Sequence, residues 1–329
     1  MEYRKKVIVL SCIIASLTLV YVGAVAFDPV RRGARSDVYA WLDSRDTYRI
    51  SGITIALPQD PFDTAPETVV LARNGESWYV LRDGRRYPAR RTRVNDFIAE
   101  LTRRAPYPVH ATSAAAHARL SLTATDAARV TVAGGIGLPL LDLLLGQSDL
   151  TGRNVYMRRA DRNEVRAGED RFSAYVWAGR SSWYNLMLFP GSEDGSPSVT
   201  DVVRLTAYPP ANEYGEPVAP TVFTRAARAW EVGFDGGHLE AVNSMRVDTH
   251  IRDILLSTGD DFADPMIGVE FGDSRLVLEF GDGGVTTISF TEPDENNRRL
   301  ASVSGTGFVY IVTGWMHQRL FPPVENFGL

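Results

Sequence analysis

Residues able to perform acid–base or metal chemistry are sparse in this chain. The five histidines are scattered, and no two have the H-x-x-x-H or H-E-x-x-H spacing that brings two imidazoles to one metal ion; they are His110, His117, His238, His250 and His317. His250 lies on the apolar stripe of a predicted helix, a position typical of a buried structural histidine. The G-x-S-x-G turn of serine hydrolases is absent. A Ser-His-Asp hydrolase would therefore need three distant residues to converge.

Two further segments, one rich in aspartate and one rich in glycine, also lack the pattern of a known site. Gly259 to Asp264 offers three carboxylates but not the alternating acids and final glutamate of a calcium loop. Gly134 to Gly137 follows a predicted strand, but an apolar strand comes next, where a dinucleotide site needs a helix. We interpret both segments as solvated turns, and we predict no metal site and no bound cofactor.

Lysine and cysteine are confined to the N-terminus. The only lysines are Lys5 and Lys6, and the only cysteine is Cys12. The rest of the chain therefore lacks the lysine of a P-loop or of a pyridoxal Schiff base, and the thiol of a cysteine nucleophile or zinc site. We predict no catalytic residues and no enzyme activity.

The charge distribution argues against nucleic acid and indicates one basic surface. The formal net charge is −5, whereas nucleic-acid-binding proteins carry a basic field. Arginines nevertheless cluster between residues 82 and 104. Within that cluster we predict an interaction surface for anionic lipid headgroups or an acidic partner, formed by Arg85, Arg86, Arg90 and Arg91. The alternative is an ordinary solvated face.

The N-terminus predicts a membrane anchor. Residues 7–27 are apolar and uncharged, and at 1.5 Å per residue they span roughly 30 Å, the thickness of a bilayer core. Basic residues within segment 1–6 favour a cytoplasmic N-terminus. We expect a single-pass protein of a bacterial inner membrane, with everything after residue 30 periplasmic or otherwise extracytoplasmic. A cleaved signal peptide ending near Ala24-Val25-Ala26 is one alternative, and a lipoprotein processed at Cys12, after Val9-Leu-Ser, is another.

The remainder contains one pattern twice. In each copy an arginine and a tryptophan flank a hairpin turn, an Asp-Gly turn follows, and then comes an amphipathic helix. Trp230 minus Trp78 is 152, and Arg225 minus Arg73 is also 152. We predict that Trp78 and Trp230 anchor equivalent cores, because a buried aromatic side chain stabilises by about 1.5–3 kcal/mol from area alone. A period near 150 residues indicates duplication of a whole domain.

Hydrophobic periodicity predicts an α+β fold, with an antiparallel-rich sheet and helices on one face in each copy. Further helices are expected at 36–42, 171–188 and 308–315, and a strand at 267–271. We predict a cytoplasmic tail at 1–6, an anchor at 7–27 and a juxtamembrane connector at 28–48. The first repeat then spans 49–190, a linker 191–200, the second repeat 201–322 and a tail 323–329.

The order of these motifs resembles a family of bacterial membrane-anchored proteins encoded beside Gld-type ABC transporters, the gliding-motility group. The residues that carry the resemblance are Asn74 to Trp78, Leu144 to Gly146, Asn154 to Arg158 and Ala229-Trp230. The near absence of lysine and the Ala226-Ala227 turn depart from the family pattern. The resemblance implies an auxiliary subunit that contacts the transporter permease and ATPase, and it implies no catalytic residues.

Three functions follow as hypotheses. The first is a non-catalytic scaffold of such a transporter complex, fixed in the bilayer through residues 7–27. The second is a free-standing envelope protein that binds a glycan or peptide in the cleft between the repeats. The third is an envelope hydrolase.

Overall fold

A computed structural model describes residues 16–18, 37–58, 67–135, 139–189, 197–212, 214–227, 229–263 and 269–328. The chain divides into two compact units, residues 1–183 and 184–329. Of the predicted linker 191–200, residues 191–196 lie outside the described residues.

The first unit is built on a nine-stranded antiparallel sheet with one long helix. In chain order its elements are β1 (Ile50–Ala56), β2 (Thr68–Asn74), β3 (Ser77–Arg82), β4 (Arg85–Pro88), α1 (Arg91–Thr102), β5 (Val109–Ala111), β6 (Ala128–Gly134), β7 (Pro139–Ser148), β8 (Asn154–Arg159) and β9 (Val165–Glu169). The strands lie in the order β4-β3-β2-β1-β6-β7-β8-β9-β5.

The second unit repeats this architecture. Its elements are β10 (Val202–Tyr208), β11 (Thr221–Ala226), β12 (Ala229–Phe234), β13 (Gly237–His238), α2 (Ser244–Leu255), β14 (Asp261–Phe262), β15 (Arg275–Phe280), β16 (Val285–Phe290), β17 (Arg298–Val303), β18 (Val309–Thr313) and α3 (Gly314–Leu320). The strand order is β13-β12-β11-β10-β15-β16-β17-β18-β14, which is the first order with nine added to every number.

The two sheets agree in register as well as in order. Ile53 pairs with Leu71 in the first sheet, and Leu205 pairs with Phe223 in the second, an offset of 152 at both positions. The β1–β6 ladder has a register shift at Ile50/Gly52 and the β10–β15 ladder has one at 202/204, again 152 residues apart. The prediction of two antiparallel-rich repeats is confirmed.

Helices α1 and α2 occupy the same place in the two units. Each has 12 residues and connects the strand at one edge of its sheet to the strand at the opposite edge. The chain must therefore cross the sheet, and an apolar stripe lets the helix do so while packed on it. Val94, Phe97 and Leu101 are fully buried in α1.

The segment before β1 packs onto the first unit. The helix predicted at 36–42 is wrong for the described residues 37–42. Val38–Tyr39 instead forms a short strand that pairs with Ala105–Pro106. Trp41 and Leu42 then enter the core. The 3-10 helix Ser44–Arg49, capped by Asp43, leads into β1. Residues 37–48 of the predicted connector thus contribute directly to the first unit.

The helix predicted at 171–188 was also wrong. Within 171–188 only Ser173–Val176 forms an α-helical turn, and Ser181–Trp183 forms a 3-10 turn. Gly179 lies between them with φ of +71°, a conformation that ends a right-handed helix. The remaining small elements are α-helical Ala116–Arg119 and the 3-10 turns Val199–Asp201 and Val324–Phe327.

The predicted helix at 308–315 is instead strand β18 followed by helix α3, which begins at Gly314. Burial alternates along β18, as expected of a strand: Tyr310 and Val312 are buried, and their neighbours are only partly buried. Residues 267–268 of the strand predicted at 267–271 lie outside the described part, and residues 269–271 do not form strand.

No helix in the described ranges is both long enough and apolar enough to cross a bilayer. Of the predicted anchor 7–27, only residues 16–18 belong to those ranges, and they are helical.

Candidate functional site

The first unit has an exposed basic edge, formed by Arg85, Arg86 and Arg90. Arg85 and Arg86 lie on β4, the outermost strand of the sheet, and Arg90 is the N-cap residue of α1. None of the three is ion-paired with a carboxylate of the described residues. Arg91, the fourth predicted member, is the first residue of α1 and is half-buried.

This placement of charge is locally unfavourable. The N-terminus of a helix carries a partial positive charge, and this charge repels cationic side chains placed beside it. Arg90 also provides no side-chain cap for α1. Burial lowers the pKa of Arg93, which is in the same turn, and repulsion from Arg90 lowers this pKa further. Arginines on an edge strand also discourage unwanted strand pairing, but that role does not explain the arginine at the cap.

The equivalent edge of the second unit is not basic. His238 minus Arg86 is 152, and the edge strand there is only Gly237–His238. Asn243 minus Arg90 is 153, and the Asn243 side chain accepts a hydrogen bond from the backbone N–H of Arg246, as a cap should. The basic edge is therefore a property of one copy and not of the fold.

In the second unit, the side chains of Arg225, Trp230 and Asp248 form a hydrogen-bonded cluster, which we call the closed corner. The indole Nε1–H donates to Asp248 Oδ1 over 2.8 Å, and Arg225 Nη2 donates to the same oxygen over 3.1 Å. The Arg225 guanidinium lies 4.3 Å from the centre of the Trp230 ring. Arg225 also donates to the carbonyl oxygens of Val199 and Val202. One carboxylate thus joins the hairpin to α2.

The first unit has the equivalent arginine and tryptophan but no carboxylate beside them. We call this cluster of Arg73, Trp78 and Asn95 the open corner. Arg73 pairs across the hairpin with Trp78, as Arg225 does with Trp230, and its guanidinium lies 5.9 Å from the Trp78 ring centre. Asp248 minus Asn95 is 153, and each is the fifth residue of its helix. Asn95 takes the place of the acid. A cavity of about 430 Å³ lies here, lined in part by Arg73, Trp78 and Asn95.

Both tryptophans predicted as repeat anchors lie in the core. Trp78 is 5% exposed and Trp230 is 3% exposed. The sequence repeat pointed to the arginine and tryptophan of each corner but not to Asp248. After the Asp-Gly turn the offset between the two copies grows from 152 to 153 residues. Asp248 lies 153 residues after Asn95, and this offset is the signal that could have found it.

The histidines do not converge. The ring of His110 lies 4.7 Å from that of Tyr156, centre to centre, with the two planes tilted by 47°, and His117 Nε2 contacts the Asn163 carbonyl oxygen at 3.0 Å. His238 is exposed on the edge strand. His250 is buried, its Nε2 has no hydrogen-bond partner, and burial lowers its pKa to about 4.

Within the described residues, Ser274 and His317 form a serine–histidine contact, but it lies inside the core. Ser274 Oγ is 3.5 Å from His317 Nε2, and both residues are buried. The imidazole is packed against the rings of Phe290 and Phe321. Burial, together with the smaller effect of the positive charge of Arg299, lowers the pKa of His317 to about 4. A substrate has no access to a hydroxyl in this position, so the pair serves packing.

A cavity of about 720 Å³ belongs to the second unit. It lies where the β15–β16 and β17–β18 turns meet the 3-10 turn Val199–Asp201. Phe189 and Phe280 provide apolar wall, and Asp201, Asp282 and Thr306 provide polar groups. Apolar surface with a few polar groups is the usual composition of a small-ligand site.

The residues that the structure describes contain no group of three or more His, Cys, Asp or Glu side chains that could hold a metal ion. In the acidic segment considered above, Asp261 Oδ1 accepts from the backbone N–H of Phe262, Asp260 is exposed, and Asp264 is outside the described residues.

Comparison of the chain with protein-family models, with curated protein sequences and with solved structures gives no significant match.

Proposed function

We propose that this protein is a non-catalytic, membrane-anchored accessory subunit of a Gld-type ABC transporter complex and that it acts by binding other proteins in the bacterial envelope. The apolar stretch 7–27 would fix it in the inner membrane as a single-pass anchor, with the N-terminus inside and the two sheet units outside. The motif order that resembles the Gld-associated family supports the choice of permease and ATPase as partners.

The observation that carries the proposal is the difference between two otherwise equivalent sheet edges. Arg85, Arg86 and Arg90 are exposed and unpaired at an edge where the second copy has Gly237, His238 and a capping asparagine. Cations at a helix N-terminus cost local stability. A feature that costs stability and is present in one copy only is typical of a surface with a partner.

Purification from detergent-solubilised membranes tests the proposal. The variant Arg85→Ala/Arg86→Ala/Arg90→Ala removes three charges from the basic edge. A matched control, Arg153→Ala/Arg162→Ala/Arg252→Ala, removes three exposed charges elsewhere. We expect the permease and ATPase to co-purify with wild type and with the control and to be depleted from the basic-edge variant. Their absence from wild type would refute the transporter assignment. Equal recovery with both variants would refute the role of the edge.

The same variants separate a protein partner from anionic lipid. Lipid contact predicts that the basic-edge variant loses binding to vesicles containing phosphatidylglycerol and that salt weakens the wild-type interaction. Unchanged vesicle binding together with lost co-purification would assign the edge to a protein.

The 720 Å³ cavity favours a second candidate function, an envelope protein that binds a glycan or peptide. Aromatic wall next to carboxylates and hydroxyls suits a sugar, because ring faces pack on rings and hydroxyls bond carboxylates. Binding of glycan fragments that is lost in Asp282→Asn would support this candidate, and absence of any glycan or peptide binding would remove it.

A further inference from the structure

We propose that the open corner of the first unit, formed by Arg73, Trp78 and Asn95, is a binding site for a carboxylate group supplied by a ligand. The inference is independent of the transporter partnership, because it uses a different surface and an internal comparison between the two copies.

The second unit shows what this corner binds when it is complete. There a single carboxylate oxygen accepts from an indole N–H and from a guanidinium, at 2.8 and 3.1 Å. Hydrogen bonds between charged partners are stronger than neutral ones. The carboxylate of Asp248 is therefore the chemical group for which the arginine–tryptophan pair is arranged.

The first unit keeps the pair and lacks the carboxylate. Arg73 and Trp78 occupy the same cross-strand register as their counterparts. Asn95 stands at the fifth position of α1, where α2 has its acid. Arg73 Nε donates only to the Gly75 carbonyl oxygen, and no carboxylate pairs with Arg73 among the described residues. The hydrogen-bonding role of Asp248 is thus unfilled.

Space is available for an external group. The cavity of about 430 Å³ over this corner is within the size range of small-ligand sites. Its lining includes Arg91 as well as Arg73, and one acid, Glu76. The neutral Asn95 amide can donate to a carboxylate, which the acid at this position in the second unit cannot do.

The experiment uses nuclear magnetic resonance of the six tryptophan indole N–H groups in the full chain, with Trp78→Phe to assign the Trp78 signal. Sodium acetate is the first probe, and sodium chloride at equal ionic strength is the control. We expect a saturable acetate-dependent shift of the Trp78 signal and no such shift with chloride. Absence of a saturable shift at Trp78 would overturn the proposal.

Two reciprocal substitutions make the test specific to the corner. Asn95→Asp supplies an internal carboxylate, so acetate should bind at least about tenfold more weakly. Asp248→Asn removes the internal carboxylate, so the Trp230 signal should become responsive to acetate. Undiminished binding in Asn95→Asp would overturn the proposal, and this variant decides the matter even where Asp248→Asn fails to fold.

The source of the carboxylate is resolved with a short C-terminally amidated peptide that contains one glutamate as its only carboxylate and with its glutamine counterpart. Binding of acetate and of the glutamate peptide, but not of the glutamine peptide, would assign the site to an acidic side chain of a partner. Binding of acetate alone would assign it to a free small carboxylate. Equal binding of both peptides would contradict carboxylate recognition.

Discussion

The second unit should lose stability in mild acid, and the first should not follow it. His250 and His317 are both buried in the second unit, and burial lowers the pKa of each to about 4. Asp253 partly opposes this effect at His250, and Arg299 adds to it at His317. The position equivalent to His250 in the first unit is Phe97, since 250 minus 97 is 153.

The sign and size follow from proton linkage. The folded-state pKa lies below the unfolded value of about 6.5, so on acidification the unfolded state binds the proton first and unfolding becomes easier. Stability is complete above about pH 6.5 and is lost as the pH falls towards 4. At about 1.4 kcal/mol per pH unit, each histidine should lower the free energy of unfolding by about 2 kcal/mol between pH 7.5 and 5.0. The two together give about 4 kcal/mol.

Urea unfolding followed by a hydrogen-exchange pulse at one common pH measures the two units separately by mass spectrometry of their peptides. His250→Phe should remove about half of the pH dependence of the second unit, and His250→Leu guards against overpacking by the larger ring. His238→Ala removes an exposed histidine and is the control. An unchanged pH dependence in both His250 variants, or an equal acid effect in the two units, would refute the reasoning.

Backbone and packing predictions can be tested by urea unfolding of single variants. Ala227 has φ of +52° at the place where the first hairpin has Gly75 at +61°, so Ala227→Gly should stabilise by about 1 kcal/mol and Gly75→Ala should destabilise by a similar amount; the opposite signs would contradict this. Gly168→Ala would place a methyl group 2.2 Å from the Tyr107 ring and should cost about 1–3 kcal/mol. Gly135→Ala, which meets nothing within 4 Å, should be close to neutral, and an equal cost for both would contradict the packing argument.

The first half of each repeat was predictable because its signals are local. The turn dipeptides at Gly75 and Gly84 predict where strands β2, β3 and β4 begin and end. The apolar stripe through Val94 and Leu101 predicts helix α1. The constant offset of 152 then transferred these elements to the second copy. The Asn74-Gly75 dipeptide by itself predicts a type I′ turn at these two positions. In the structure Asn74 pairs with Ser77, so the two turn residues are Gly75 and Glu76.

The second half of each repeat was harder because the spacing changes. Val132 and Leu278 pair with equivalent residues of β1 and β10, yet they are 146 positions apart and not 152. A fixed-period search therefore misses β6 to β9 and their counterparts. The helix predicted for the aromatic segment 171–188 was wrong for another reason. Phe172 and Trp183 pack against Phe97 from α1, so their spacing reflects a tertiary cluster and not a helical period.

The proposed binding role is tested most directly by photo-crosslinking in intact membranes from the equivalent residues of the two sheet edges. A photoreactive amino acid replaces Arg86 in one protein and His238 in the other. Both side chains are exposed and share the same place in their sheets. We predict cross-links to the permease or ATPase of an ABC transporter from position 86 and none from position 238. Equal labelling from the two positions, or none from position 86, would contradict the account.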